Sequence, residues 1–170
     1  MIMGQSIAQL YRVCCLALTV TAMTFAIRAG ILAQLGQDLG LSDARLGWIN
    51  AMAFLGFPLA TLVGGFFYNA LGAKKLLIIA FVGHLLGLGL TMMADGFWLL
   101  LVSTFFIGLA NGAVEAGCNP LIAQLYPDNK TVMLNRFHVW FPGGIVIGAI
   151  ASKLMTDAGF AWQWQIAIMV

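Results

Sequence analysis

Three polar side chains recur at helical spacing inside one long apolar stretch. Asn111, Glu115 and Asn119 follow each other at intervals of four residues, which places all three on one face of a helix. An ionised carboxylate is costly in hydrocarbon, so this face must look into a helix bundle or a wet cavity. A permanently protonated Glu115 would only hydrogen-bond a neighbouring helix, whereas one that exchanges its proton suits ion coupling. We interpret Glu115 as a proton-coupling residue and the two asparagines as candidate solute ligands.

Arg28 is the second charged residue in an apolar stretch, and Thr21 and Thr24 precede it at helical spacing. Its guanidinium could bind a polar substrate or pair electrostatically with Glu115. A long arginine side chain can also reach the outer headgroups from this position. All three interpretations remain open from the sequence, and Arg28 is kept as a candidate substrate ligand.

Asn135 and His138 share a helix face at the start of a later apolar stretch. Counting the rise per residue, we expect His138 at a depth within about one turn of Glu115. A histidine there could donate a hydrogen bond to a solute or exchange protons with the glutamate, and it could equally serve helix packing. His84, which has glycine neighbours, is expected to be a packing or interfacial residue.

The composition decides what kind of element carries these residues. Hydrophobic residues make up 62% of the 170 positions and charged residues only 8%, against about a quarter charged residues in soluble domains. The sequence therefore predicts an all-α, polytopic transmembrane helix bundle. A net charge of +2 without a basic cluster gives no sign of nucleic-acid binding. Cys14, Cys15 and Cys118 lie in apolar stretches and are expected to be free, buried thiols.

No catalytic or cofactor chemistry is visible in the sequence. We find no metal-ligand spacing and no nucleophile–base pair, so neither an enzyme nor a bound cofactor is expected.

The apolar stretches divide the chain into membrane spans. A hydrocarbon core of about 30 Å requires about 20 residues in a helix. The predicted spans are residues 11–35, 46–71, 76–94, 97–126 and 132–155, with a partial sixth span from residue 161. The breaks between them are short and rich in Gly, Asp, Asn or Pro, as turns are. The first stretch is long enough to be a retained helix rather than a cleaved signal peptide.

Basic residues predict the orientation of the bundle. With the N-terminus inside, the cytoplasmic ends collect five basic residues: Arg12, Lys74, Lys75, Lys130 and Arg136. The outer ends then hold four acidic residues and two basic ones: Asp38, Asp43, Asp95, Asp157, Arg45 and Lys153. Because positive residues favour the cytoplasmic side, we predict a cytoplasmic N-terminus.

Glycines and prolines suggest how the spans pack. Four glycine pairs have the four-residue spacing that permits close approach of helices: Gly36/Gly40, Gly83/Gly87, Gly108/Gly112 and Gly144/Gly148. Pro58, Pro120 and Pro142 fall inside or near spans and are expected to bend them.

Two stretches resemble a known family. Residues 65–75, Gly-Phe-Phe-Tyr-Asn-Ala-Leu-Gly-Ala-Lys-Lys, are similar to the signature loop between helices two and three of the major facilitator superfamily. The run from Gly108 to Pro120, followed by residues 134–138, Leu-Asn-Arg-Phe-His, resembles the fucose-permease-like sugar/proton symporters. This resemblance implies that Glu115 takes part in proton coupling or sugar binding and that Asn119, Asn135 and His138 line the sugar path.

The loop resemblance implies a conformational-switch role for five residues: Gly65, Asn69, Gly72, Lys74 and Lys75. Such transporters have two six-helix halves with the substrate between them near the midplane. The chain offers five spans and the start of a sixth, so we expect the N-terminal half of a major facilitator fold, a fragment whose C-terminal half is missing.

The resulting hypothesis is proton-coupled uptake of a small polar solute, in particular a sugar, by alternating access in a bacterial inner membrane. The expected partners are the solute, the proton, the lipid bilayer and the missing half of the chain. Two alternatives stay open. One is a pH-independent or anion-type carrier that uses Arg28, and the other is a membrane assembly subunit without transport activity.

Overall fold

A computed structural model describes residues 6–170 of the chain, and the regular secondary structure of these residues is all helical. Seven helices follow each other in these residues: α1 (Ile7–Asp38), α2 (Asp43–Phe66), α3 (Tyr68–Met92), α4 (Phe97–Leu125), α5 (Lys130–His138), α6 (Trp140–Asp157) and α7 (Trp162–Ala167). The first four helices are each long and apolar enough to cross a membrane, and α5 and α6 together form a fifth span, Lys130–Asp157. The chain is an all-α, polytopic, integral membrane protein, as its composition predicts.

The turn between α2 and α3 comes earlier than the sequence pattern predicts. The second span was expected to run to residue 71, but α2 ends at Phe66 and α3 begins at Tyr68. The expected break at Gly72 is present as well, because the φ of +72° and ψ of 162° at Gly72 are non-helical and divide α3 at a kink. Only glycine adopts this backbone region without strain. The turn could not be predicted from the sequence, because residues 66–71 are mostly apolar and resemble the helix before them in composition.

The predicted fifth span is divided into two helices. α5 ends at His138 and α6 begins at Trp140. Pro142 lies four residues after His138 and has no N–H to donate to that residue's carbonyl, so the helical hydrogen-bond ladder is interrupted there.

Helix α4 lies at the centre of the bundle and runs antiparallel to α1. Near one end, Ile27 and Ile31 of α1 pack in the same buried cluster as Leu100 and Ile107 of α4. At the other end, α1 residues 14–18 pack with α4 residues 114–122.

Glycine faces bring the helices close together. α2 and α3 pack closely against α4, and α6 packs closely against α1. A Cβ atom at Gly108 would lie 2.5 Å from the Ala53 carbonyl oxygen, and one at Gly148 would lie 3.0 Å from Met23 Cα. The close packing of α4 determines which of its polar side chains are enclosed.

Candidate functional site

A hydrogen-bonded chain of side chains joins α3, α4 and α1 in the middle of the bundle. His84 Nε2 lies 2.6 Å from Asn111 Oδ1, and Asn111 Nδ2 donates to Thr24 Oγ1 at 3.1 Å. The Thr24 hydroxyl donates to the Thr21 carbonyl oxygen at 2.7 Å. Because that hydroxyl has only one proton, it accepts from Asn111, and the Asn111 oxygen is left to accept from His84. Both polar atoms of the Asn111 side chain therefore make helix–helix contacts.

The sequence predicted that His84 is a packing or interfacial residue, and its hydrogen bond to Asn111 packs α3 against α4. Its neighbouring glycines explain why it lies there: a Cβ at Gly83 would be 3.1 Å from Ala110 Cβ, and one at Gly87 would be 3.0 Å from Ile107 N. Both contacts hold α3 against α4, and the histidine between them lies opposite Asn111 of α4. The position of a polar side chain between two closely spaced glycines was the sequence feature that could have indicated this contact with α4.

Glu115 lies one turn along α4 from Asn111 and is only 7% exposed. Asn119 Nδ2 donates to Glu115 Oε2 at 2.6 Å, so the four-residue spacing brings these two side chains together. Asn119 Oδ1 is buried and has no hydrogen-bond partner among residues 6–170. The pair thus combines a carboxyl group that can hold a proton with a free amide oxygen that can accept a hydrogen bond from a solute.

Arg28 is enclosed by the bundle rather than extended toward the outer surface. It is 5% exposed, and its Nε and Nη1 atoms have no hydrogen-bond partner within the described residues. The guanidinium carbon lies 6.0 Å from the centroid of the Phe25 ring, a weak cation–π distance. A buried guanidinium with two free donors is suited to an anionic group that the described residues do not supply.

Arg28 and Glu115 lie on opposite sides of the His84–Asn111–Thr24 contact. Arg28 follows Thr24 by one turn and Glu115 follows Asn111 by one turn, and α1 and α4 run in opposite directions. The Cα atoms of Arg28 and Glu115 are therefore separated by about 12 Å in depth. No ion pair joins them, and in residues 6–170 Lys153–Asp157 is the ion pair present. The bundle consequently holds the Arg28 guanidinium on one side of the His84–Asn111–Thr24 contact and the Glu115 carboxyl group on the other side.

Asn135 and His138 are not gathered with these groups. Both are exposed, and neither makes a side-chain hydrogen bond among the residues the structure covers. The buried residue of this segment is Phe137, whose ring lies 5.0 Å from that of His138. Their hydrogen-bonding groups remain free for a ligand or for another part of the protein.

The loop between α2 and α3 is anchored to α4 by a residue that the motif did not single out. Tyr68 is largely buried, and its hydroxyl lies 3.3 Å from Gln124 Oε1 near the end of α4. Asn69, Lys74 and Lys75 are exposed, and Gly65 has open space where a Cβ would be. The loop is thus tied to the central helix while its charged side chains stay free.

These features define a class: a multi-pass membrane helix bundle with an enclosed line of polar and charged side chains through its central helix. Residues 14–170 match the Major Facilitator Superfamily. The chain belongs to that superfamily.

Its relatives have diverse cargoes. The chain is 25% identical over 143 residues to the sphingosine-1-phosphate transporter of Danio rerio, covering 82% of the chain and 28% of that protein. It is 23% identical over 139 residues to a D-xylose transporter of Levilactobacillus brevis, covering 81% of the chain and 30% of the relative. It is 29% identical over 140 residues to a gallate transporter of Pseudomonas putida, covering 82% and 31%. The chain spans about three tenths of the length of these curated relatives.

Proposed function

We propose that the protein moves a small polar solute across a membrane together with a proton, by alternating access. The observation that carries this proposal is Glu115, a carboxyl group in the middle of a membrane-spanning helix, 7% exposed and bonded to Asn119 rather than to a cation. An ionisable side chain inside a membrane-spanning helix is costly and marks a solute or ion pathway by default, and a carboxyl group there is one that can carry a proton. Membership of a superfamily with transporter relatives supports the same function.

The first solute class that we propose is a sugar. Within residues 6–170 the Asn119 amide oxygen has no hydrogen-bond partner, and the exposed side chains of Asn135 and His138 make no hydrogen bond, so all three could bind sugar hydroxyls. The resemblance of the α4 and α5 stretches to sugar/proton symporters and the D-xylose transporter among the relatives support this choice. In this proposal Asn111 supports the site indirectly, because its side chain holds α4 against α1 and α3.

We further propose that the N-terminus is cytoplasmic, that the membrane is a bacterial inner membrane, and that a second half of the protein closes the central face. The loop of Gly65, Asn69, Gly72, Lys74 and Lys75 would then change its contacts when the halves rock. Its attachment to α4 through Tyr68 and Gln124 supports this assignment, because it links the loop to the helix that carries Glu115.

The test is solute-induced proton entry in vesicles that contain the full-length protein. The solutes are a panel of monosaccharides and organic acids that includes D-xylose and gallate. We expect a transported solute to acidify the vesicle interior, and Glu115→Gln to abolish that signal because the amide cannot release a proton. Asp128→Asn, an exposed carboxylate outside the helices, is the control and should leave the signal intact. Unchanged proton entry in Glu115→Gln would remove Glu115 from the mechanism.

A second candidate function is the transport of an organic anion bound by Arg28. The two unpartnered guanidinium nitrogens favour it, since leaving a buried charge unpaired is strongly unfavourable. A gallate transporter among the relatives is in keeping with an anionic solute. Uptake that is indifferent to pH but lost in Arg28→Ala would favour this candidate over the sugar symporter.

A further inference from the structure

Four phenylalanine rings meet beside Arg28. The Phe25 ring centroid lies 5.7 Å from that of Phe54, 6.2 Å from that of Phe57 and 6.1 Å from that of Phe141. These distances are within the range of favourable aromatic pairs. The rings come from α1, α2 and α6 and lie at the depth of the Thr24–Asn111 contact, because Phe25 follows Thr24 in the chain. We call these four residues the phenylalanine cluster.

The phenylalanine cluster is only partly covered. Phe25, Phe57 and Phe141 are half-buried, and Phe54 is 61% exposed. The interplanar angles of the three pairs are 37°, 69° and 61°, so the rings present both edges and faces to a neighbour. A flat ring that docks here would find the edge-to-face and offset geometries that aromatic groups prefer.

Arg28 adds a charge to this apolar surface. It lies one turn along α1 from Phe25, with its guanidinium carbon 6.0 Å from the ring centroid, and it is 5% exposed. Its Nε and Nη1 atoms lack partners within residues 6–170. A carboxylate is an anion that can give such a guanidinium charge-assisted hydrogen bonds.

We propose that Arg28 and the phenylalanine cluster together bind a small aromatic carboxylate, with the acid group on Arg28 and the ring against Phe25 and Phe57. The inference rests on the anion-carrier candidate above and adds that the rest of the solute is an aromatic ring. Phenylalanine rings offer no hydrogen bonds to sugar hydroxyls, and an uncharged sugar would leave the guanidinium unpaired. An acid with a short aliphatic chain would satisfy Arg28 but leave the rings without a partner.

The experiment measures binding calorimetrically, with the full-length protein in lipid nanodiscs and with empty nanodiscs subtracted. The probes are benzoate, benzyl alcohol, cyclohexanecarboxylate and acetate. We expect benzoate to bind, benzyl alcohol and acetate to bind at least about tenfold more weakly, and cyclohexanecarboxylate to lie between them. Comparison of the two six-membered rings separates aromatic contact from general hydrophobicity.

Matched variants test the two parts of the site. Phe57→Leu should raise the Kd for benzoate by about threefold to tenfold, whereas Phe81→Leu, an exposed ring on α3 outside the cluster, should not change it. Arg28→Gln should weaken benzoate binding by at least about tenfold, and Arg28→Lys, which keeps the charge and guards against misfolding, should weaken it less. Arg45→Gln is the control and should leave benzoate binding unchanged. The guanidinium of Arg45 lies 5.6 Å from the Phe97 ring, elsewhere in the bundle.

Three results would overturn the inference. The first is equal binding of benzoate and benzyl alcohol. The second is an Arg28→Gln protein that unfolds at lower temperature but binds benzoate unchanged, which would mean that Arg28 pairs with an acidic residue in another part of the protein. The third is absence of benzoate binding while another solute still drives proton entry, which would leave the proposed transport function intact. Benzoate binding without any solute-driven proton entry would uphold the inference and remove the proton-coupled function.

Discussion

At the scale of single residues, Asn111 joins three helices through one side chain. The Thr24 hydroxyl donates to a backbone carbonyl, so the Asn111 amide must donate to Thr24 and present its oxygen to His84. In this arrangement His84 Nε2 carries the proton that is donated to Asn111. His84 is then a hydrogen-bond donor to α4, and this bond contributes to the stability of the helix bundle.

Removing this donor should loosen the bundle. His84→Leu leaves the buried Asn111 oxygen without its 2.6 Å partner, and we expect the free energy of unfolding to fall by about 1 kcal/mol. Unfolding titrations in detergent would measure it. His138→Leu is the matched control, since His138 is exposed and makes no side-chain hydrogen bond in the described part of the chain. Equal stability of the two variants would contradict the hydrogen-bonded chain.

The candidate site could be predicted in part at this scale. Helical periodicity correctly placed Asn119 beside Glu115, because both belong to one helix and local geometry fixes their contact. It could not show that Asn111 turns to Thr24 and His84 or that Phe25 gathers three other rings, since those contacts depend on how separate helices align. The roles of Glu115, Arg28, Asn135 and His138 in solute or proton binding remain predictions.

At the scale of helices, glycine spacing explains most of the close packing. Three of the four glycine pairs lie in helix contacts: Gly83/Gly87 against α4, Gly108/Gly112 against α2, and Gly144/Gly148 against α1. The fourth pair does not, because Gly40 has a φ of +60° and open space around it, at the turn after α1. Spacing alone cannot separate a packing glycine from one that a turn requires.

Adding one methyl group to a packing glycine should therefore be costly. In Gly108→Ala the new Cβ would lie 2.5 Å from the Ala53 carbonyl oxygen, a backbone atom that moves only with α2. We expect the free energy of unfolding to fall by about 1–3 kcal/mol. Gly89→Ala is the control, because nothing lies within 4 Å of its Cβ position and alanine favours a helix. A Gly108→Ala protein as stable as the Gly89→Ala protein would contradict this packing.

At the scale of the whole molecule, charge separates the two ends of the bundle. Lys74, Lys75 and Lys130 lie at the end where α2 meets α3 and where α4 meets α5, whereas Asp95 lies between α3 and α4. Composition was enough to predict the membrane class and the number of spans, because the hydrocarbon thickness fixes the length of each apolar helix. It missed the turn at Phe67, where apolar residues lie on both sides, and it missed the full break after His138, for which Pro142 predicted only a bend.

The orientation can be tested by thiol labelling from outside. We replace the three buried cysteines with alanine and introduce either Lys75→Cys or Asp95→Cys, both at exposed positions. With a cytoplasmic N-terminus, an impermeant maleimide added to intact cells should label the Asp95→Cys protein and not the Lys75→Cys protein. Permeabilised cells should show labelling of both. The opposite pattern in intact cells would reverse the proposed topology.

The most direct test of the central claim is accumulation of the transported solute in proteoliposomes under an imposed pH gradient. If Glu115 couples transport to protons, the full-length protein concentrates the solute inside and a protonophore removes the difference. Glu115→Gln should admit the solute only until inside and outside concentrations are equal, because its side chain cannot release a proton, while the Asp128→Asn control should accumulate normally. Accumulation by Glu115→Gln equal to that of the unaltered protein would contradict the claim that Glu115 couples transport to protons.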